Sequence, residues 1–136
     1  MVAATTDAGG AARAVREVLV IEEQPEVRYL FRKLLANTPY TLREAINGVE
    51  GLTRVQTAPP HLICLDLMLP DRDGFSVLAQ LKNDPHTRHI PIVVVTDKPL
   101  PAETEEQLTR HATLLAKSAL SRTVLLAALQ QARQKG

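Results

Sequence analysis

Acidic, hydroxyl and basic side chains directly follow four short apolar runs of this sequence. They are Glu22 and Glu23 after residues 18–21, Asp66 after residues 62–65, Thr96 after residues 92–95, and Lys117 after residues 113–116. Clustered carboxylates raise one another's pKa unless a cation lies between them. Mg²⁺ binds carboxylate and phosphate oxygens together, and a hydroxyl with an ammonium group can hold the rest of an anion. The set predicts phosphoryl transfer, in which positioning and charge neutralisation supply most of the catalysis.

Each of these residues also has an ordinary structural explanation. A strand-end Asp or Glu often caps the next helix, a strand-end Thr reflects β propensity, and a lone Lys is commonly a solvated surface charge. Only their joint placement is specific, because ligands of parallel sheets bind beyond the carboxyl ends of the strands. The prediction of phosphoryl transfer therefore depends on the elements that carry these residues.

Short apolar runs alternate with helical patterns five times along the chain. Continuous apolar runs at 18–21, 62–65 and 92–95 are typical of strands buried on both faces, and weaker strands are predicted over 41–45 and 113–116. Helices are predicted from Pro25, over 49–56, from Gly74, over 102–111 and over 121 to about 134. This alternation predicts an α/β fold, a five-stranded parallel sheet with helices on both faces. The expected arrangement is a doubly wound sheet of order 2-1-3-4-5. Strands one and three would flank its switch point, where the three carboxylates would converge.

The spacing of apolar residues predicts which helix faces are buried. The fourth helix is mostly polar, and Leu108 is its one large apolar residue. The residues predicted to face inward are Val27, Leu30, Phe31, Leu34 and Leu35 in the first helix, Phe75, Leu78 and Leu81 in the third, and Val124, Leu125, Ala128 and Leu129 in the last.

The composition is that of a single soluble domain. The chain has 136 residues, 45% hydrophobic and 23% charged, with 16 basic and 15 acidic side chains and a net charge of +1. This balance argues against a nucleic-acid footprint or a membrane partner. No apolar stretch approaches the roughly 18–20 residues that span a bilayer, and the N-terminus lacks the layout of a signal peptide. A cytoplasmic protein is expected.

The sequence also predicts the state of the two chain ends and of the single cysteine. Residues 1–16 are predicted to be a disordered extension or linker, 17–132 the domain, and 133–136 a C-terminal tail. Cys64 lies in an apolar run and is predicted to be a buried structural thiol.

These residues resemble the response-regulator receiver domain of two-component signalling, in the CheY-like superfamily with its flavodoxin-like fold. The resemblance runs from about Glu17 to Ala132. Its most specific stretch is 66–74, where a proline lies four residues after Asp66 and an Asp-Gly pair ends eight residues after it. The segment 47–52 resembles the family's turn into its second helix.

The resemblance implies a role for each candidate residue. Asp66 would be the phosphoacceptor, Thr96 and Lys117 would bind the phosphoryl oxygens, and Mg²⁺ would be the cofactor. The implied metal ligands are Glu22, Glu23, Asp66 and the backbone carbonyl of Met68.

The resemblance also implies partners. The phosphoryl donor would be a sensor histidine kinase or a histidine phosphotransfer domain. The fourth helix, fifth strand and fifth helix would form the switching face, through which the family often forms homodimers. Such a receiver assists its own phosphorylation and dephosphorylation but is not a turnover enzyme.

Four features of the sequence depart from the family's pattern. The acid pair is Glu22-Glu23, although the family usually has at least one Asp there, and Asp97 replaces a small residue. Leu114 replaces an aromatic, so a conventional aromatic switch cannot operate. Ser118 replaces a proline that follows the lysine through a cis bond. Because a cis bond before serine costs about 3–4 kcal/mol, the Lys117–Ser118 bond is predicted to be trans.

Several alternatives remain open at this stage. The receiver could be free-standing or part of a longer protein such as a hybrid sensor kinase. A pseudo-receiver would use the same fold as a binding module without phosphorylation. An aspartate-nucleophile phosphohydrolase is disfavoured, because the position where it needs a second acid is Met68. A nucleotide-binding module is disfavoured because the first strand-to-helix turn has no glycine-rich loop.

Overall fold

A computed structural model of the chain describes residues 15–135. Within them, five strands alternate with five α-helices, and a 3₁₀ turn precedes the last helix. Their bounds are β1 Arg16–Ile21, α1 Pro25–Leu35, β2 Tyr40–Ala45, α2 Gly48–Thr57, β3 Leu62–Asp66, α3 Gly74–Asn83, β4 Ile92–Val95, α4 Ala102–Thr109, β5 Thr113–Leu115, the 3₁₀ turn Lys117–Ala119 and α5 Arg122–Lys135. The predicted N-terminal extension lies outside the described residues as far as residue 14, and Arg16 already begins β1.

All five strands form one parallel sheet of order β2-β1-β3-β4-β5, as predicted. The central strands are buried on both faces because neighbouring residues of a strand point to opposite sides. In β1, Leu19 and Ile21 pack on one side of the sheet, while Val18 and Val20 pack on the other. The order reverses between β1 and β3, which places the ends of these two strands at the switch point.

Two apolar layers enclose the sheet. One lies under α2, α3 and α4, and the other under α1 and α5. Phe31, Leu125 and Leu129 are almost fully buried in the second layer, and burial of each such side chain contributes roughly 1.5–3 kcal/mol. Cys64 is buried there too, and burial raises the pKa of its thiol to about 12. The prediction of a structural thiol is confirmed.

Two residues that were predicted to face inward are exposed instead. Leu30 and Val124 are each 36% exposed. The buried stripe of α5 is Leu125, Ala128, Leu129 and Ala132, and Val124 lies about 100° around the helix from Leu125. Leu30 likewise lies about 100° around α1 from the buried Phe31.

The third helix also differs from its prediction. Its most buried large residue is Val77, which the spacing argument missed, whereas Phe75 is only half-buried against the core. Phe75 lies in the first turn of α3, where the helix emerges from the loop after β3.

The ends of the later elements differ by a few residues from the sequence prediction. Strand β5 ends at Leu115 because the 3₁₀ turn begins at Lys117, and α4 ends at Thr109 with Leu108 as its buried residue. The predicted tail is helical through Lys135, and Gly136 lies outside the described residues. None of the peptide bonds between residues 15 and 135 is cis, so the trans prediction for Lys117–Ser118 is confirmed. Over the same range, no helix has the length and apolar character needed to cross a membrane.

The loop after β3 is tied to two helix N-termini. The Asp71 carboxylate accepts hydrogen bonds from the backbone N–H groups of Gly48 and Val49, at 2.8 and 2.9 Å. The Asp73 carboxylate accepts one from the N–H of Phe75 at 2.9 Å and caps α3. Because each anion satisfies helix-end donors, the loop that follows Asp66 has a fixed path.

Replacing Gly74 with alanine should destabilise this loop. A Cβ at Gly74 would collide with the Cα of Leu67 and lie 2.6 Å from the carbonyl oxygen of Asp66, and neither backbone atom can turn aside. We expect the free energy of unfolding to fall by roughly 1–3 kcal/mol, measured by urea denaturation with far-UV circular dichroism.

Gly48→Ala is the matched control, because Gly48 is likewise the first residue of its helix. A Cβ there would meet the Cγ of Arg72 at 2.6 Å and the Cγ2 of the buried Val77 at 3.1 Å, which are side-chain atoms and not backbone, so the loss should be smaller. Equal losses in the two variants would contradict the prediction.

Candidate functional site

The predicted residues at the ends of β1, β3 and β5 meet around one ammonium group. The Nζ of Lys117 lies 3.1 Å from Oε1 of Glu22 and 3.4 Å from Oδ2 of Asp66. The two carboxylate side chains are 2% and 3% exposed, and the lysine side chain is 20% exposed. The structure therefore brings Glu22, Asp66 and Lys117 together at the switch point.

The charges in this cluster are only partly compensated. Burial raises the pKa of Glu22, and the negative charge of Asp66 adds to the increase, although hydrogen bonds from Gln24 and Lys117 oppose it. Burial opposes the charge of Lys117, but its hydrogen bond to Glu22 and the two negative charges outweigh this and raise its pKa. Two carboxylates thus share one cation, which leaves a buried site with excess negative charge.

Asp66 is oriented by its own loop. Its Oδ1 accepts a hydrogen bond from the backbone N–H of Met68 at 3.0 Å, which leaves Oδ2 toward Lys117. As the last residue of β3, Asp66 pairs in register with Val95, the last residue of β4. The carboxylate therefore lies at the strand end where the predicted chemistry requires it.

Thr96 and Lys117 are held side by side by the backbone. The N–H of Thr96 donates to the carbonyl of Leu115 at 3.0 Å, and the N–H of Lys117 donates to the carbonyl of Thr96 at 3.2 Å. Thr96 is buried, and its Oγ1 accepts a hydrogen bond from the N–H of Lys98 at 3.0 Å. The hydroxyl hydrogen of Thr96 makes no hydrogen bond to any residue within 15–135.

Two residues that the sequence argument missed position the acid pair. Nη1 of Arg28 donates to the carbonyl oxygens of Glu22 and Glu23, at 2.8 and 2.7 Å. The N–H of Gln24 donates to Oε2 of Glu22 at 3.0 Å, and its Oε1 lies 3.4 Å from Nζ of Lys117. Neither has a sequence signal of its own, because each acts through the geometry of the β1–α1 turn.

The three predicted carboxylates do not form one cluster. Glu23 is exposed, whereas Glu22 is buried beside Lys117. No group of three His, Cys, Asp or Glu side chains within residues 15–135 is arranged to hold a metal ion. Met68 is exposed at the mouth of the site. The site that the structure presents is a pair of carboxylates with a lysine, and the role of Glu23 as a ligand stays a prediction.

The fold and this arrangement agree with a comparison against known families. The family model of the response regulator receiver domain matches residues 18–130. This chain belongs to that family. It is therefore a receiver domain of two-component signalling, as the sequence resemblance predicted.

Individual receivers show how far the similarity reaches. The response regulator PleD of Caulobacter vibrioides (strain NA1000 / CB15N) is 41% identical over 80 residues, which cover 58% of this chain and 17% of PleD. The receiver domain of a signal transduction histidine kinase from Syntrophus aciditrophicus is 25% identical, with a TM-score of 0.77 over 88% of this chain and 91% of that one. The Mn²⁺-bound form of the response regulator Rcp1 is 25% identical, with a TM-score of 0.70 over 88% and 90% of the two chains.

One departure of this receiver from the family pattern has a clear structural role. Oδ1 of Asp97 accepts a hydrogen bond from the backbone N–H of Ser118 at 2.9 Å, and this bond is the main cause of the lowered pKa of Asp97. The contact joins the loop after β4 to the 3₁₀ turn that carries Lys117. From the sequence alone Asp97 was expected only to add negative charge, and this contact was not predicted.

Replacing Asp97 with alanine should loosen the 3₁₀ turn. Without the acceptor, the amide of Ser118 should exchange its hydrogen at least several-fold faster, which NMR hydrogen exchange measures directly. Asp97→Asn is the matched control, because an amide oxygen can still accept the bond while the charge is lost. If both variants exchanged as slowly as the native receiver, Asp97 would not hold the turn.

Proposed function

We propose that this receiver accepts a phosphoryl group on Asp66 in the presence of Mg²⁺ and thereby switches its surface for a downstream partner. The observation that carries the proposal is the buried Asp66 carboxylate, with one oxygen held by the N–H of Met68 and the other 3.4 Å from Lys117. A fixed, partly neutralised carboxylate is suited to act as a nucleophile toward a phosphoryl group.

The chain's own residues supply most of this chemistry. An oxygen of Asp66 forms the new P–O bond while the P–N bond of a donor phosphohistidine breaks, and the imidazole leaves with the bonding electron pair. Lys117 pairs with a phosphoryl oxygen, since its ammonium already lies between Asp66 and Glu22. Thr96 donates its hydroxyl hydrogen to another phosphoryl oxygen. Each contact neutralises charge that remains on the transferring group.

The donor set fits a divalent cation with oxygen ligands. Glu22 and Asp66 present two buried carboxylates against one ammonium, and the pKa of Glu22 is raised by burial and by Asp66. These two side chains, with the carbonyl of Met68, would hold Mg²⁺, and Glu23 is the fourth proposed ligand. When bound, the ion would supply further charge neutralisation for the phosphoryl oxygens. The Mn²⁺-bound Rcp1 supports this proposal by similarity.

Intact mass spectrometry tests the proposal. The protein is incubated with acetyl phosphate and Mg²⁺, and one phosphoryl adduct is expected. The adduct should be absent from Asp66→Asn and should disappear when EDTA removes the metal. An adduct that persists in Asp66→Asn would place the phosphoacceptor elsewhere. No adduct, under conditions that label a known receiver, would reject phosphorylation.

The partners follow from the same chemistry. The proposed donor is a sensor histidine kinase or a histidine phosphotransfer domain in the cytoplasm. The proposed output surface, α4, β5 and α5, is also the surface proposed for a homodimer. The similarity to the receiver of the Syntrophus histidine kinase supports a place within a hybrid kinase. No direct role for nucleic acid or membrane is proposed.

A pseudo-receiver is the second candidate, and two observations favour it. Glu23 is exposed, so the acid pair is split, and Leu114 stands half-buried where the family has an aromatic. In this alternative the fold binds a partner without phosphate chemistry. Measured Mg²⁺ affinity separates the two candidates, because a pseudo-receiver has no need of the ion.

A further inference from the structure

A cavity of about 610 Å³ lies between α3, α4 and the segments that lead into β4 and β5. Its lining includes the first residue of β4, Ile92, and the first residue of β5, Thr113. Asp66, by contrast, is the last residue of β3, and neither it nor Glu22, Thr96 or Lys117 lines the cavity. This volume is sufficient for an organic ligand of ordinary size.

The lining of the cavity combines an apolar wall with positive charge. The wall includes the half-buried Phe75 and the buried Leu78, Ile92 and Leu108. Basic side chains line it, and none of its lining residues within 15–135 is acidic. The basic residues are Lys82, Arg88, His89, Arg110, His111 and Lys135. The cavity is therefore amphipathic and electropositive.

Carboxylates compensate little of this charge. Nζ of Lys82 donates to the carbonyls of Arg88 and Ile90, each at 3.1 Å, and Nζ of Lys135 donates to those of Thr109 and Ala112, each at 3.2 Å. No carboxylate of residues 15–135 forms an ion pair with Lys82, Arg88 or Lys135. Arg110 has a long, exposed contact of 4.0 Å with Glu106. Positive charge that faces a cavity without a nearby acid favours an anionic ligand.

The end of α5 brings one of these cations to the cavity wall. Nζ of Lys135 donates to the carbonyl of Ala112, the residue before Thr113, so the ammonium lies beside the start of β5. The side chain of Thr113 lies on the α5 face of the sheet, because Thr113 pairs in register with Val93, and its buried hydroxyl does not face the cavity.

We propose that this cavity binds an amphipathic organic anion, an aromatic or aliphatic body with one or two negatively charged groups. The body packs against Phe75, Leu78 and Leu108. The anionic group pairs with Arg88 and Lys135. Because α4 forms one wall, the bound anion contacts a helix of the proposed output surface.

Fluorescence titration with 8-anilinonaphthalene-1-sulfonate tests the proposal. This aromatic sulfonate has the required chemistry, and the chain contains no tryptophan to interfere. N-phenyl-1-naphthylamine is the matched neutral probe, with the same rings but no sulfonate. We expect saturable binding of the sulfonate and binding of the neutral probe weaker by roughly tenfold or more. Amide shifts in ¹H–¹⁵N spectra should concentrate at Leu108 and Thr113.

Variants identify the groups that bind the anion. Arg88→Gln/Lys135→Gln should weaken sulfonate binding by roughly tenfold or more. Lys33→Gln/Arg54→Gln removes the same charge from surfaces outside the cavity and should leave binding unchanged. Equal binding of the two probes, an equal loss in both double variants, or amide shifts elsewhere would each overturn the proposal.

Discussion

Replacing Lys117 with methionine will lower the free energy of unfolding by roughly 3 kcal/mol at neutral pH, because it removes the ammonium that pairs with both buried carboxylates. Glu22 and Asp66 are nearly fully buried, and the ammonium lies within 3.4 Å of both. Methionine has a similar length but carries no charge, so the two carboxylates then repel each other in a site with little water. Urea denaturation followed by far-UV circular dichroism measures the loss.

The loss depends on pH in a defined direction. The pKa of Glu22 is already raised, and removal of Lys117 should raise it further. A carboxyl group whose pKa is raised by folding destabilises the folded protein as the pH rises. The loss begins at the pKa of the unfolded state, near 4.5, and is complete above the pKa of the folded state. The variant should therefore recover stability as the pH is lowered from 7 toward 4.5. The raised pKa of Lys117 keeps its contribution to the native protein intact below about 10.5.

Two comparisons make the prediction specific. Lys33→Met removes an exposed charge from α1 and should change stability by less than about 0.5 kcal/mol. Glu22→Gln/Lys117→Met should be more stable than Lys117→Met, because one of the two opposed charges is gone. Equal losses in Lys117→Met and Lys33→Met would show that the ammonium does not stabilise the carboxylate pair.

The parallel sheet was predictable because the first, third and fourth strands are continuous apolar runs. Such runs require burial on both faces, and alternation with helices then requires parallel strands. Asp66 and Lys117 could be placed in one site by the same argument, since both follow strands of that sheet. The trans bond at Ser118 followed from the cost of a cis bond without proline.

The contacts that position the site could not be predicted from the sequence. Arg28 reaches back from the first turns of α1 to the carbonyls of Glu22 and Glu23, and Asp97 accepts a bond from Ser118, 21 residues away. Each depends on how a turn folds, and no hydrophobic period records it. The separation of Glu22 from Glu23 has the same origin, because neighbouring residues at a strand end need not face the same way.

The cavity between α3 and α4 could not be predicted from the sequence either. Its basic residues come from α3, the loop before β4, the end of α4 and the end of α5, so no cluster of charge appears along the chain. The overall net charge of +1 hides the local excess. Leu30 and Val124 were wrongly predicted to be buried, because the spacing of apolar residues identifies the buried stripe of a helix but not how far that stripe extends around it.

Glu22→Gln should weaken binding of a divalent cation far more than Glu23→Gln. Glu22 is buried beside Asp66, and its carboxylate is one of two that the site presents, whereas Glu23 is exposed. We expect Mn²⁺ affinity to fall by roughly 10- to 100-fold in the first variant, and by only a few-fold in the second. Electron paramagnetic resonance of free Mn²⁺ measures both affinities without a fluorescent residue.

This comparison decides how the unusual acid pair works. If Glu22→Gln alone lowers the affinity, the receiver holds its metal with the two buried carboxylates and the carbonyl of Met68. Equal losses in both variants would mean that Glu23 turns inward to meet the ion, so that metal binding reshapes the β1–α1 turn held by Arg28. Absence of Mn²⁺ binding by the native protein would favour a pseudo-receiver, with Lys117 as the permanent cation between Glu22 and Asp66.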